Sequence, residues 1–173
     1  MRCFAILLIA GALTGLSGCG YHTLGAATHL PADVRTLAVP EFATQTESYR
    51  SETVMTQAVI REFATRTRMR VTPKGSGDSD AVLHGTILKE MVTPLTYNTS
   101  TQQSSSFLIT MVVSVNLTAR DGKVLYENKN YVFREQYQST ANLPTFFEEN
   151  PAAVERLSRE FARQLVADVL EGF

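Results

Sequence analysis

Apolar and polar positions alternate from Phe107 to Arg120, with Phe107, Ile109, Met111, Val113, Val115, Leu117 and Ala119 set against Thr110, Ser114, Asn116, Thr118 and Arg120. A period of two puts each set on its own face, so this run predicts a strand whose odd positions face a core. Thr36 to Val39 is a shorter apolar run stopped by Pro40, which has no N–H for a ladder, and predicts the first strand. Ala81 to Val92 is apolar and β-branched enough for a strand with both faces partly covered. Between these two runs the period changes to 3.6. Met55, Val59, Ile60 and Phe63, flanked by Ala58, share one side of a helical wheel, while Arg50, Gln57, Arg61 and Arg68 gather opposite. Ser51 is the expected N-cap of this helix. Val154, Leu157, Phe161, Leu165 and Val169 form the stripe of a second helix, with Asn150-Pro151 as its expected N-cap and first residue and Gly172 as its end. Glu155 and Arg159 make an i,i+4 pair on its exposed side.

The connections fix the order. Gly75 to Asp80 is turn chemistry. Thr96 to Ser106 is nearly all Thr, Ser, Asn and Gln and reads as a mobile hairpin tip. Asp121-Gly122 reads as a two-residue type I′ turn, which sets Arg120 opposite Lys123 and Leu117 opposite Tyr126. Strict pairing from that turn sends Val124 and Tyr126 inward, and Asn128, Asn130 and Arg134 with them. Tyr131, Phe133 and Tyr137 are the better core set, so a β-bulge near Asn128 to Asn130 is expected to shift the phase by one residue. The chain thus predicts an α+β fold in which two helices pack on one face of a four-stranded mixed sheet, in the order β-α-β-β-β-α. The first helix makes the right-handed crossover between the first two strands.

The residues ahead of this domain have another purpose. Arg2, an apolar run from Phe4 to Leu13 and small residues before Cys19 match a secretory signal, too short to span a bilayer at about 20 residues per span. Leu16-Ser17-Gly18-Cys19 resembles the lipobox of bacterial lipoproteins, in which the cysteine is acylated and becomes the N-terminus. The expected organisation is a signal peptide over 1–18, a lipidated tether over 19–34 and one α+β domain over 35–173. Gly20 stands where an aspartate tends to retain enterobacterial lipoproteins at the inner membrane, which favours the outer membrane and its periplasmic face. Removing residues 1–18 from 173 leaves 155, enough for one domain with a real core. Arg2 goes with the signal, leaving 15 basic against 17 acidic side chains, without the basic excess of a nucleic-acid-binding protein. Cys3 also goes and Cys19 carries lipid, so the folded part has no thiol for a disulfide, a zinc site or a nucleophile.

Candidate chemistry is sparse. Arg61, Arg66, Arg68, Arg70 and Lys74 make the one local excess of positive charge. Cations at a helix C-terminus complement the macrodipole, each by about 0.3 to 1 kcal/mol. The same guanidinium groups suit phosphates through bidentate hydrogen bonds, so these five residues are candidate anion ligands, in a lipid-anchored protein for a phosphorylated lipid headgroup. His22, His29 and His84 are assigned no chemistry. No metalloprotease motif, phosphate loop, nucleophile elbow or dinucleotide fingerprint is present, and no metal or catalytic site is expected.

The lipobox, Cys19-Gly20-Tyr21-His22, Leu37-Ala38-Val39-Pro40 followed by Phe42 and Thr46, and Arg61-Glu62-Phe63 together resemble the LPS-assembly lipoprotein LptE family over essentially the whole mature chain. Family members often carry asparagine where this chain has Thr44. The resemblance implies a non-enzymatic outer-membrane lipoprotein that forms a complex with the β-barrel LptD, assists its assembly and binds lipopolysaccharide for delivery to the outer leaflet. A cell-envelope scaffold or secretion accessory with a similar sheet is the alternative, since strands ending in Val-Pro-x-Phe occur there too.

Overall fold

The chain folds in the order β1 (Thr36–Ala38), β2 (Ala43–Thr44), α1 (Ser51–Arg66), β3 (Arg70–Thr72), β4 (Ala81–Asn98), β5 (Gln103–Ala119), β6 (Val124–Gln138) and α2 (Leu143–Glu171). These elements come from a computed structural model that describes residues 30–31, 33–46, 50–74, 77–98, 103–138 and 143–172. The expected signal, Cys19 and nearly all of the tether lie outside the described residues. No helix among the described residues is long and apolar enough to cross a membrane.

One mixed sheet has the strand order β3-β1-β4-β5-β6, with β2 also pairing β4. β1 runs parallel to both β3 and β4, and β4-β5-β6 is the expected antiparallel meander. The α+β arrangement with two helices on the sheet is as expected, but the strands number six among the described residues, not four. β2 and β3 pair over only two and three residues, too few to leave a periodic pattern, and the crossover through α1 therefore reaches the edge strand β3 before the chain returns to β4.

Odd positions of β5 from Ile109 to Leu117 are buried, as the alternation requires. They meet Leu37 and Val39, Leu83 and Ile87, the Met55, Val59 and Phe63 stripe of α1, and the Leu157, Phe161, Leu165 and Val169 stripe of α2. Phe161 is the centre of an aromatic group, edge-on to Phe42 at 6.1 Å, to Tyr131 at 5.7 Å and to Phe133 at 5.4 Å. Each such pair is worth about 0.5 to 1.5 kcal/mol beyond its burial. Leu30 and Val34, at the end of the expected tether, pack against this core.

Phe42 explains the apolar-Pro-x-Phe sequence that follows β1. Its ring lies directly over Gly85 of β4, where an added Cβ would come within 2.2 Å of it. Its backbone N–H donates to Thr56 Oγ1 at 2.9 Å, and that hydroxyl donates to the Glu52 carbonyl one turn earlier in α1 at 2.6 Å. The start of β1 is tied to β4 by Asp80. Asp80 Oδ2 accepts from the N–H of Arg35 at 3.0 Å and of Thr36 at 2.9 Å and from Thr36 Oγ1 at 2.7 Å, while the Arg120 side chain, 3.4 Å from Oδ1, approaches from the β5–β6 turn. The Thr36 hydroxyl and these backbone N–H groups hold the Asp80 carboxyl below its ordinary range.

Four local expectations are corrected. Ser51 is not the N-cap: it is buried inside the first turn of α1, and Arg50 precedes it with a left-handed backbone at φ 70° and no side-chain cap. α2 begins at Leu143, so Pro144 takes the first-turn place expected of Pro151, which lies within the helix. Its end is as expected, with Gly172 at φ 75° donating to the Asp168 carbonyl at 2.8 Å. The stretch expected as a loose tip from Thr96 to Ser106 is largely paired, as far as Asn98 with Gln103; only 99–102 fall outside the described residues.

The β5–β6 turn is not type I′. Type I′ needs positive φ at both central residues, and only Gly122 has it, at 87°. Gly122 N donates to the Ala119 carbonyl at 2.9 Å and Ala119 N to the Lys123 carbonyl at 2.8 Å, which is a three-residue loop with glycine in the left-handed position. That loop turns Val124 outward, 51% exposed, where strict two-residue pairing sent it inward. One shift between Leu117 and Thr118 then restores Leu117 opposite Tyr126, and a second follows between Asn128 and Tyr131. The second is the expected bulge, and it turns Tyr131, Phe133 and Tyr137 inward.

Candidate functional site

The five cations read as an anion site are spread over α1, the link after it, β3 and the residues just beyond. Arg61 is exposed on α1, and Arg66 closes its last turn, 3.9 Å from Glu62. Thr67 then turns to extended backbone and donates its N–H to the Phe63 carbonyl at 3.0 Å, so Arg68 lies beyond the helix. Arg70 opens β3, and Lys74 lies just past its end. Val71 packs against the core beneath the helices, so strand alternation turns Arg70 the other way. Arg66 is thus the only basic residue in the last turn of α1, where it complements the dipole.

A second cationic arrangement lies on the sheet face away from the helices. Pairing places Lys89, Val112 and Val132 side by side across β4, β5 and β6, with Met91, Thr110 and Arg134 in the next row and Thr93, Leu108 and Gln136 in the one after. Met111 and Val113 on either side of Val112 are fully buried against the helices, so these rows face outward. Met91 and Val132 are 43% and 38% exposed, at opposite corners of the first two rows with the half-buried Val112 between them. The rows carry no acidic side chain. Glu90 lies opposite Met111 on the helix side, and Glu135 is taken up there by Arg156 of α2 at 2.5 Å. Lys89 and Arg134 make no ion pair among the described residues.

Sequence reading missed this pair because Lys89 and Arg134 are far apart in the chain and each is turned outward by a register shift. Ile87 pairs with Val113, but Lys89 pairs with Val112, so an extra residue at Leu88 moves Lys89 off the core face. The shift before Tyr131 does the same for Arg134. The available signal was Val112, which with Leu108 is apolar among the otherwise polar even positions of β5.

A buried tyrosine on β6 serves structure. Tyr131, 7% exposed, donates to Asp168 Oδ2 of α2 at 2.5 Å and shares a hydrogen bond with the Tyr126 hydroxyl; Gln164 Nε2 donates to the other Asp168 oxygen at 2.6 Å. Burial, then the Asp168 carboxylate, pushes the Tyr131 hydroxyl well above the ordinary tyrosine range. A neutral phenol fixed in this way pins β6 to α2. His84 is exposed on the outer face opposite Asn116. Among the described residues no group of three or more His, Cys, Asp or Glu side chains is disposed to hold a metal ion.

A family model described as LptE, lipopolysaccharide-assembly, matches residues 34–169, which span the sheet and nearly all of both helices. Curated proteins show no significant match in sequence. Among solved structures, the chain is similar to a candidate lipoprotein from Caulobacter crescentus CB15, at 14% identity and a TM-score of 0.55 over 77% of this chain and 88% of that one. It is also similar to a protein from Xanthomonas campestris, at 14% identity and a TM-score of 0.54 over 86% and 90% of the two chains. A minor lipoprotein from Acinetobacter baumannii matches at 14% identity and a TM-score of 0.50, over 82% and 95%. These likenesses concern the fold. The family match covers most of the chain, and the protein belongs to the LptE family, which is non-catalytic.

Proposed function

We propose that this member of the LptE family is an outer-membrane lipoprotein, anchored at the periplasmic face through lipid on Cys19, that forms a complex with the β-barrel LptD, assists its assembly and binds lipopolysaccharide on its way to the outer leaflet. The observation that carries the reading is the family match over 34–169, which takes in the whole framework of core strands and helices. The lipobox supports the anchor, and the long β4–β5 hairpin, exposed from Met91 to Thr96, supports a role in contact with a partner. Arg61, Arg66, Arg68, Arg70 and Lys74 are candidate contacts to lipopolysaccharide phosphates, through charge-assisted hydrogen bonds.

The test is mild-detergent extraction of the full-length protein from its own membranes, followed by the mass of what co-purifies and by direct binding of lipopolysaccharide. A large β-barrel that copurifies stoichiometrically and saturable lipopolysaccharide binding are the expected results. Extraction without a barrel would favour the scaffold alternative and overturn the LptD partnership.

A further inference from the structure

We infer that the outward face of the sheet between Lys89 and Arg134 is a binding surface for a phosphorylated amphiphile, with acyl chains lying on Met91, Val112 and Val132 and phosphates held at the two cations. The inference rests on the lipopolysaccharide reading and says where on the molecule that ligand is held. Lys89 and Arg134 stand at opposite corners of a block two rows deep and three strands wide. With strands about 4.8 Å apart and about 7 Å between rows, their backbones are about 12 Å apart. The block between them consists of Met91, Val112, Thr110 and Val132, apolar except for one hydroxyl. Two cations with no acidic neighbour in these rows complement an anion, and the apolar strip between them complements hydrocarbon. A peptide strand is a poorer occupant, because β4, β5 and β6 pair with one another across this face and leave no free ladder groups in β5.

The experiment uses the full-length protein in detergent with purified bisphosphorylated lipid A as probe, and dephosphorylated lipid A and inorganic phosphate as further arms. The Lys89→Glu/Arg134→Glu double variant is expected to bind lipid A at least tenfold more weakly, and Lys89→Arg/Arg134→Lys to bind as wild type does. Unchanged thermal unfolding of both variants shows that the fold is intact, as exposed positions predict. Val132→Asn is expected to weaken both lipid forms, and inorganic phosphate alone to compete poorly. Wild-type protein that fails to bind lipid A would overturn the lipopolysaccharide reading itself. Wild-type binding that the double variant retains within twofold would overturn this inference alone, and loss in an Arg66→Glu/Arg68→Glu/Arg70→Glu variant would then move the site to the α1 end. A double variant that keeps lipid A but loses the co-purifying barrel would likewise overturn it, by assigning the face to protein contact.

Discussion

Gly85→Ala puts a single methyl where the Phe42 ring already lies. The added Cβ would meet Phe42 Cε2 at 2.2 Å and Cδ2 and Cζ at 2.4 Å, where carbon atoms ordinarily rest about 3.5 to 4.0 Å apart. The ring is enclosed: Phe42 is 2% exposed and meets the fully buried Phe161 edge-on. Overpacking of this kind costs about 1 to 3 kcal/mol, and a displacement above 1 Å belongs at the upper end. Alanine recovers about 0.5 to 1 kcal/mol of the chain entropy that glycine loses in a strand, so the net loss is about 2 kcal/mol. For a domain of this size that is about 4 to 8 °C in Tm. Urea unfolding should show a lower midpoint at unchanged slope. Phe42→Ala alone should cost about 3 to 5 kcal/mol, but in the Gly85→Ala background the two losses should fall short of their sum by more than about 1 kcal/mol, because the methyl then occupies vacated space. A Gly85→Ala protein within about 0.5 kcal/mol of wild type, or an additive double variant, would refute the account of Phe42 and of the sequence that positions it.

Thr56→Val keeps the shape of the side chain but leaves the buried Phe42 N–H without its acceptor, and should lower the unfolding free energy by about 1 to 3 kcal/mol in urea. Asp80→Asn should lower stability at neutral pH; because the folded carboxyl titrates below its ordinary value of 3.8, that contribution is present above pH 3.8 and is lost as pH falls through the lower folded value, so urea midpoints of the two proteins should converge in acid. Tyr131 has a raised folded pKa, so its contribution is complete below the ordinary value of 10.0 and declines as pH rises above it; Tyr131→Phe should be less stable at pH 7 by about 1 to 2 kcal/mol and should lose less stability than wild type above pH 10, by thermal unfolding across pH. Cys19→Ser should leave the domain folded and release it from the membrane fraction, and an unchanged membrane fraction would refute the lipobox reading.

Long, strongly periodic elements were legible in the chain. The β5 alternation and the stripes of both helices follow from burial of one face, which constrains every second or every third to fourth residue. The bulge before Tyr131 was legible for the same reason: strict register would have buried Asn130 and Arg134 and exposed three aromatic rings. β2 and β3 were not, because two or three paired residues carry no period. The start of α1 and the type of the hairpin turn depend on backbone dihedrals at single residues, Arg50 and Gly122, which composition leaves open. The candidate site divides in the same way. A run of arginines is visible as a run, yet α1 ends inside it, and the strand that follows turns Arg70 away from the core.

The register shifts decide what the outer face is. Carried on from Ile87 opposite Val113, regular pairing would set Lys89 opposite Met111, and carried on from Asn128 opposite Val115 it would set Arg134 opposite Ile109. Both cations would then take the helix-side positions that Glu90 and Glu135 hold instead, the second of them paired with Arg156 of α2. Two independent extra residues, at Leu88 in β4 and before Tyr131 in β6, turn both cations to the same outer face. Polar, uncharged residues at 89 and 134 would serve an ordinary solvated face, as Thr110 and Ser114 of β5 do on the same side of the sheet. The lysine and arginine there have no acidic partner in these rows, and Met91 and Val132 beside them are apolar surface left in contact with water. A ligand with acyl chains and phosphates supplies that partner from outside, which is why the lipid A titration of the Lys89→Glu/Arg134→Glu protein discriminates more sharply than any measurement of its stability.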